Sequence, residues 1–279
     1  MGRRVAAAVV ALAGVLPTWL IAPVTRADAA PCAESSPGVG MAASGSGRGV
    51  YVVSIDGCIG TAGDAAYDGQ PVQLRAPIVG MAVSPGGGYW EVASDGGMFT
   101  FGGAGFYGSA GGLHLNRSIV GMASTPDGAG YWLVASDGGI FAYGDARFLG
   151  STGGIRLNQP IVGMAATPDG AGYWLVASDG GIFAFGDARY LGSTGATHLN
   201  APIVGMARTP TGAGYWFVAR DGGIFNFGDA PFLGSATVPA GTAQPPAVAM
   251  AATPSGRGYW VAFQPNNQVD EFGDAPPVS

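Results

Sequence analysis

Four aspartates recur at one position of a repeated Asp-Gly-Gly step and are the first candidates for chemistry. They are Asp95, Asp137, Asp179 and Asp221, and Asp56 opens a similar step nearer the amino terminus. If these steps all lie on one face of the molecule, their carboxylates form a crown that binds a cation or a sugar. Alternatively, each aspartate accepts hydrogen bonds from the backbone of its own turn, as aspartates in turns commonly do. The sequence leaves both interpretations open.

A second set of aspartates follows a recurring aromatic strand, and we expect it on the opposite face. Asp145 and Asp187 each precede an arginine by two residues, so we expect surface ion pairs with Arg147 and Arg189. Exposed pairs of this kind contribute only about 0–1 kcal/mol to stability. A role in the turns is again the alternative. The set consists of Asp64, Asp145, Asp187, Asp229 and Asp274.

Methionines and aromatic residues recur with the same period as the aspartates. Six methionines could bind a soft metal such as Cu(I) if they lined a channel, although methionine more often fills gaps between packed sheets. The repeated Tyr-Trp and Phe-x-Phe pairs could form shelves on which sugars stack, or they could form the core between repeats. The methionines are Met41, Met81, Met122, Met164, Met206 and Met250.

Residues suited to acid–base catalysis are scarce. The histidines are His114 and His198, which occupy equivalent positions two repeats apart, and we expect both on a solvated edge. The glutamates are Glu34, Glu91 and Glu271. A Ser-His-Asp triad or a cluster of histidine ligands cannot be assembled from this set. We therefore assign no catalytic residue, no metal site and no cofactor.

These candidates are positioned by a repeat of about 42 residues that occurs six times, most regularly at 119–160 and 161–202. A period of 40–45 residues with several short strands per unit is typical of a β-propeller blade. Gly or Pro interrupts nearly every apolar run, which argues against helical repeats. We predict an all-β, six-bladed β-propeller of four-stranded repeats. Its units are 38–77, 78–118, 119–160, 161–202, 203–246 and 247–279.

Within the unit at 161–202 the pattern predicts four strands. They are strand A at Ile161–Ala166, strand B at Gly172–Ser178, strand C at Ile182–Phe185 and strand D at Arg189–Leu199. Small residues suit strand A to a crowded centre, and an Asp-Gly turn between apolar runs predicts the B–C hairpin. The last unit ends before a strand D, so we expect the segment Ala30–Ser36 to supply that strand.

The amino terminus reads as a secretory signal peptide over residues 1–29. Two arginines precede an apolar stretch and an Ala-x-Ala site, although an uncleaved membrane anchor is the alternative. Residues 30–279 then form the propeller domain, with no membrane span. In an exported protein, Cys32 and Cys58 would form a disulfide that stabilises the fold by roughly 3 kcal/mol. The chain has no lysine, and its net charge of −6 disfavours nucleic acid as a partner.

The segment from Thr125 to Val134, Thr-Pro-Asp-Gly-Ala-Gly-Tyr-Trp-Leu-Val, resembles the S-P-D-G-x-x-x-Y-V pattern of YVTN/NHL-type and lactonase-like secreted propellers. The likeness extends over the mature chain as a repeat pattern. It implies the propeller fold but not one activity, because that superfamily includes enzymes, ligand binders and scaffolds. The Asp-Gly-Gly-x-Phe step is also similar to the Asp box of sialidases, but Ala135 stands where that motif has serine.

From these features we expect a monomeric module, secreted or held at the cell surface, that binds rather than catalyses. Its expected partner is a cell-envelope glycan or another extracellular protein. The alternative is a lactonase-like or sialidase-like hydrolase or lyase with its site at the channel mouth. An enzyme would bring unlike polar residues from several blades to one mouth, whereas a repeat-built binder would present symmetric grooves.

Overall fold

The computed structural model of this chain describes residues 36–236, 245–265 and 267–278. Within these residues, 18 strands form six three-stranded antiparallel sheets and there is no helix. One sheet lies in each of the six sequence units. Accordingly, no described segment is a helix with the length and hydropathy needed to span a membrane. The all-β, six-bladed prediction is confirmed.

Each blade has an inner, a middle and an outer strand in chain order. The inner strands are β1 Gly38–Ala43, β4 Ile78–Val83, β7 Ile119–Ser124, β10 Ile161–Ala166, β13 Ile203–Arg208 and β16 Ala247–Ala252. The middle strands are β2 Gly49–Ser54, β5 Tyr89–Ala93, β8 Gly130–Ala135, β11 Gly172–Ala177, β14 Gly214–Ala219 and β17 Gly258–Phe263. The outer strands are β3 Ile59–Gly63, β6 Met98–Phe101, β9 Ile140–Gly144, β12 Ile182–Gly186, β15 Ile224–Gly228 and β18 Gln268–Gly273.

The inner strands contact one another around a closed circuit. Each contacts the inner strand of the next blade, and β16 of the last blade contacts β1 of the first. The third residue of most inner strands is glycine, which lets neighbouring backbones approach. A Cβ atom on Gly40 would lie only 3.2 Å from the Cα atom of Gly80 in the next blade. The expectation that small residues occupy the crowded centre is therefore correct.

The middle strands are buried on both faces, and their aromatic side chains form the core between blades. Trp132, Trp174 and Trp216 are fully buried. The ring of Trp174 packs against Tyr215 of the next blade with 5.7 Å between centroids, and Trp132 packs in the same way against Tyr173. Burying a large aromatic side chain stabilises a fold by about 2–3 kcal/mol. The Tyr-Trp pairs are thus core residues and are not available as sugar shelves.

The predicted fourth strand is wrong, because each described sheet has three strands and the described residues after each outer strand form an irregular loop. Its backbone is satisfied by side chains of two blades rather than by a neighbouring strand. In the fourth blade, Trp174 Nε1 donates to the Arg189 carbonyl at 2.8 Å. Tyr215 of the fifth blade accepts from the Leu191 amide and donates to the Gly192 carbonyl, at 3.1 and 2.6 Å. We call these loops the blade-linking loops, because each is bonded to its own blade and to the next one.

The first and last blades meet without this tyrosine. Val50 stands at its position in the first blade, so the described part of the last linking loop is bonded through Trp260 Nε1 to the Pro276 carbonyl at 3.1 Å. Other contacts close the circuit there. Gln264 Nε2 donates to the Gly38 carbonyl at 3.0 Å, and Val50 packs in one apolar cluster with Trp260. We call this junction the closure seam.

Several predictions concern residues beyond the described ranges. The signal peptide, Cys32 and all of the segment Ala30–Ser36 except Ser36 fall there, so the supply of a strand to the last blade stays a prediction. Cys58 is buried and is not a free thiol. Its pairing with Cys32 likewise stays a prediction at this point.

Glu91 is a charged residue type in an otherwise apolar position. It occupies the place that Leu133 and Leu175 hold in later blades, and it is fully buried. Neither carboxyl oxygen has a hydrogen-bond partner in the described part of the chain. Burial, together with the nearby charge of Asp56, raises the pKa of Glu91 to about 8. The side chain is therefore protonated in the folded protein at neutral pH.

We expect Glu91→Leu to raise the free energy of unfolding at pH 7 by roughly 2–4 kcal/mol. In the wild type, the Glu91 carboxyl group is neutral in the folded protein and ionises on unfolding, which favours the unfolded state at this pH, and leucine removes that contribution. The folded-state pKa lies above the unfolded value, so wild-type stability from this group is fully present below about pH 4.5 and is lost as the pH rises to about 8. Urea denaturation between pH 4 and pH 8 measures this. Glu91→Gln is the control, since it removes the pH dependence but keeps a polar group buried. If the Glu91→Leu protein retained the wild-type pH dependence, the assignment would be wrong.

The linking-loop bonds give a second expectation. Tyr173→Phe leaves the Leu149 amide and the Gly150 carbonyl without their partner, so we expect a loss of about 1–3 kcal/mol in the free energy of unfolding. Tyr190→Phe is the matched control, because Tyr190 is 64% exposed and should tolerate the change within about 0.5 kcal/mol. Urea denaturation of both variants measures the difference. Equal effects of the two substitutions would show that the loops are not held in this way.

Candidate functional site

The aspartates of the Asp-Gly-Gly steps are bonded to their own turns between middle and outer strands. The Oδ1 atoms of Asp95, Asp137 and Asp179 each accept from the amide two residues on, at 2.9 Å, and Asp221 does so at 3.1 Å. In the first blade, Asp56 accepts from the Cys58 amide in the same way. These bonds give the recurring carboxylates a structural role, although one oxygen of each remains outside the turn bond.

The structure does not gather these aspartates into one crown-shaped pocket. Asp95 lines a groove of about 450 Å³ with Arg117, whereas Asp179 lines a separate groove of about 320 Å³ with His198. Among the described residues, no group of three or more His, Cys, Asp or Glu side chains is arranged around a metal position. Ligand binding by Asp95, Asp137, Asp179 and Asp221 stays a prediction, and it would have to occur groove by groove.

The second set of aspartates lies against the turns between inner and middle strands. In the fifth blade, the hydroxyls of Thr209 and Thr211 donate to the two oxygens of Asp229 at 2.9 and 2.6 Å. Asp64 and Asp274 accept from paired hydroxyls in the first and last blades in the same manner. In these three blades the carboxylate therefore fastens the turn to the end of the outer strand.

The third and fourth blades replace one of those hydroxyls by a second carboxyl group. Asp127 faces Asp145, and Asp169 faces Asp187, so each of these blades brings two carboxyl groups together. The Ala129 amide is the main cause that lowers the pKa of Asp127, and the Thr125 hydroxyl and Asp145 lower it further. The fourth-blade pair lines a groove of about 430 Å³ that also contains Arg189.

The expected ion pairs of Arg147 and Arg189 do not form in the described structure. The described residues contain one ion pair within 4 Å, between Arg48 and Asp64 at 3.9 Å. Neither arginine has an acidic partner within 4 Å in the ranges that the structure describes, and Asp145 and Asp187 each face a second carboxyl group. Two adjacent blades thus carry the same exposed set of two carboxyl groups and one guanidinium.

Four exposed aromatic side chains, which the sequence patterns did not single out, project from the blade-linking loops. Phe106, Phe148, Tyr190 and Phe232 are 58–64% exposed and occupy the same place in four successive blades. The residue that follows each ring donates its amide to the core tyrosine of the next blade, which fixes the loop beneath the ring. We call this set the aromatic rim. The sequence signal for this set was an aromatic residue that recurs at one position of the repeat, which by itself does not show that the ring is exposed.

In two blades the residues of the aromatic rim lie close in sequence to an acidic pair. Phe148 and Tyr190 directly follow Arg147 and Arg189 in the chain. The third and fourth blades therefore combine an exposed ring, a guanidinium and two carboxyl groups, whereas the second and fifth blades present the ring with fewer charged neighbours. A ring flanked by polar groups provides an apolar face and hydrogen-bonding groups for one ligand.

The mouth of the central channel has a different character. A pocket of about 710 Å³ is lined there by the ends of inner strands and by turn prolines from five blades. Arg208 is its one charged lining residue in the described part of the chain. The methionines do not form a metal site here, since most of them are buried in the apolar clusters between blades. We call this space the axial pocket.

Two irregular stretches interrupt the repeat, at 239–246 and at 266–267, and both are only partly described. Asn267, in the second of them, donates from Nδ2 to Ser54 Oγ at 3.3 Å across the closure seam. Residues 237–244 and Asn266 lie outside the described ranges. The asymmetry that the structure does show is carried by Glu91 in the second blade and Arg208 in the fifth.

We expect Asp179→Ala to lower the free energy of unfolding by about 0.5–1.5 kcal/mol, because the Gly181 amide loses its acceptor. Asp179→Asn retains an acceptor oxygen and should be close to wild type. Urea denaturation of the two variants measures the difference. If Asp179→Ala is as stable as wild type, the turn role is wrong and a ligand role becomes the better explanation.

The comparisons with known proteins identify no family for this chain. A scan against protein-family models found no matching family, and a search of curated proteins found no match. The candidate site is therefore defined by the geometry of this chain: an aromatic rim on four blades, flanked in two of them by carboxyl pairs and an arginine.

Proposed function

We propose that this chain is a secreted, non-catalytic propeller that binds a cell-envelope glycan through its aromatic rim. The observation that supports this is the repetition of one exposed aromatic ring in four successive blades. Exposed rings have no role in the core, and their flat apolar faces fit the C–H faces of sugars. The acidic chain with no lysine favours a neutral polysaccharide over an anionic one.

Repetition matters for affinity. One ring on an exposed loop contributes a weak contact, but a polymer with repeating sugars can engage several rings at once. Each further contact is then intramolecular, and linked sites of this kind gain a factor on the order of 10²–10⁴ in apparent affinity. In the third and fourth blades, the carboxyl pairs supply partners for sugar hydroxyls, and so do the guanidinium groups of Arg147 and Arg189. The affinity therefore comes from several weak contacts along the polymer rather than from one deep pocket.

The alternative of a hydrolase or lyase at the channel mouth has less support. The described lining residues of the axial pocket supply a guanidinium and a few hydroxyls, and no carboxylate or imidazole among them. Two of those hydroxyls, of Ser44 and Thr253, donate to the aspartates that follow the outer strands of their own blades. Acid–base chemistry needs titratable groups within reach of a substrate, and the described residues of this mouth do not bring such a pair together.

Export is part of the same proposal, and the position of Ser36 supports the disulfide that export would allow. Ser36 Oγ donates to Asp56 Oδ2 at 2.5 Å, which brings the chain four residues after Cys32 beside the turn that contains Cys58. Bridged cysteines have Cα atoms about 4.4–6.8 Å apart. Because Cys32 is only four residues from Ser36, the chain is long enough to bring it to that distance from Cys58. We propose that Cys32 and Cys58 pair and that the signal peptide at 1–29 is removed.

We expect the variant with Phe106→Ala, Phe148→Ala, Tyr190→Ala and Phe232→Ala to lose at least about 100-fold in binding to the responsive polysaccharide, while each single change costs about tenfold or less. Co-sedimentation with insoluble cell-wall glycan and titration with a panel of soluble neutral polysaccharides measure this.

Leu113→Ala combined with Ile155→Ala is the matched control, because these side chains are 56% and 60% exposed in the same loops but are not aromatic. Thermal unfolding checks that the variants remain folded. Absence of binding to every polysaccharide of the panel, or unchanged binding by the fourfold variant, would overturn the glycan proposal. Binding of a purified envelope protein that depends on the same four rings would replace it with a protein partner.

A further inference from the structure

The fifth blade breaks the repeat at the last residue of its inner strand. Arg208 stands there, where the other blades have small side chains. Those side chains are Ala43, Val83, Ser124, Ala166 and Ala252. The inner strands end at the axial pocket, so this substitution places a guanidinium at the one point where the blades converge. In a protein built from copies, a departure at the axis is a candidate for a specific function.

The guanidinium is held without an acidic partner. Its Nη1 atom donates to the Thr209 carbonyl at 3.1 Å, and no carboxylate lies within 4 Å of it among the described residues. The side chain is partly buried, and desolvation lowers the pKa of Arg208 from its ordinary value. An arginine stays protonated in proteins, so this is a partly desolvated positive charge with N–H donors to spare.

The walls of the axial pocket offer little that competes with Arg208 for a ligand. Its rim carries the turn prolines Pro85, Pro168, Pro210 and Pro254, and proline has no backbone N–H. Between them lie small apolar side chains, including Ala42, Val83 and Ala207, at the ends of inner strands. The guanidinium is thus the one charged donor among the described lining residues, beside the hydroxyls of Ser44, Ser84 and Thr253. The pocket volume of about 710 Å³ is in the range of small-molecule sites.

We propose that the axial pocket binds a small organic carboxylate, whose two oxygens pair with the Arg208 guanidinium while its apolar body contacts the proline and alanine collar. The fork of a guanidinium matches a carboxylate in a bidentate pair, and such charge-assisted bonds are strong where water is partly excluded. The single charge selects a monoanion, and the apolar walls select an aliphatic or aromatic body over a strongly hydrated ion. This site is distinct from the aromatic rim and does not depend on glycan binding.

The experiment is calorimetric titration of the full mature chain with hexanoate, benzoate and inorganic phosphate at low ionic strength. We expect saturable binding of hexanoate or benzoate that is at least about tenfold tighter than that of phosphate. Arg208→Gln should weaken it at least about tenfold. Arg208→Lys should weaken it severalfold, because it keeps the charge but loses the fork. Sodium chloride at high concentration should weaken binding by wild type.

Arg220→Gln is the matched control. Arg220 belongs to the same blade as Arg208 but lines a pocket at the opposite mouth of the channel. This substitution should leave carboxylate binding unchanged. Thermal unfolding of the variants shows whether each is folded, and the fourfold aromatic-rim variant should bind carboxylates as wild type does. Absence of saturable carboxylate binding, binding that survives Arg208→Gln, or a preference for phosphate would overturn the proposal whatever the outcome with glycans.

Discussion

The structure depends on a constraint that each blade cannot satisfy alone: its middle strand has large apolar side chains on both faces. A three-stranded sheet can cover neither face, so in the second to fifth blades the tryptophan is buried against the tyrosine of the next blade. The same two side chains then bond the linking loop between them. These Tyr-Trp contacts thus exclude water from the core and fix the loop on the surface, which is why the aromatic rim is presented in a regular way on those four blades.

Much of this architecture could be predicted from the pattern of the chain. The bounds of the inner strand Ile161–Ala166 and the burial of Trp174 follow from small residues at one position and apolar residues on both faces at another. The fourth strand could not be predicted correctly, because a strand is defined by its partners. The amide of Leu191 and the carbonyl of Gly192 are bonded by Tyr215, a side chain 24 and 23 residues away in sequence and in another blade. The residue preferences of the loop itself do not show that a side chain from another blade will take the backbone bonds that a fourth strand would need.

The candidate site was predicted less well, for a related reason. Recurring aspartates attract attention as ligands, but recurrence also marks turns that every blade must make, and the Asp179 carboxylate is bonded in its own turn. The rings at Phe148 and Tyr190 recur as well, yet nothing in the sequence separates an exposed aromatic from a buried one in an irregular segment. Arg208 was visible as a departure from the repeat, but its location at the axis required the inner strands to be placed in space.

The closure seam has a consequence for how the ring moves. Every other junction in the described chain is crossed by the hydroxyl of a core tyrosine, whereas Val50 can offer only apolar contact to the last loop. The loop after β18 is therefore hydrogen-bonded from its own blade only, and local opening begins in segments with few such contacts. The ring beneath it stays closed, because β1 and β16 contact each other and Gln264 bonds across to Gly38. The last loop can thus lift away from the first blade without opening the circle of inner strands.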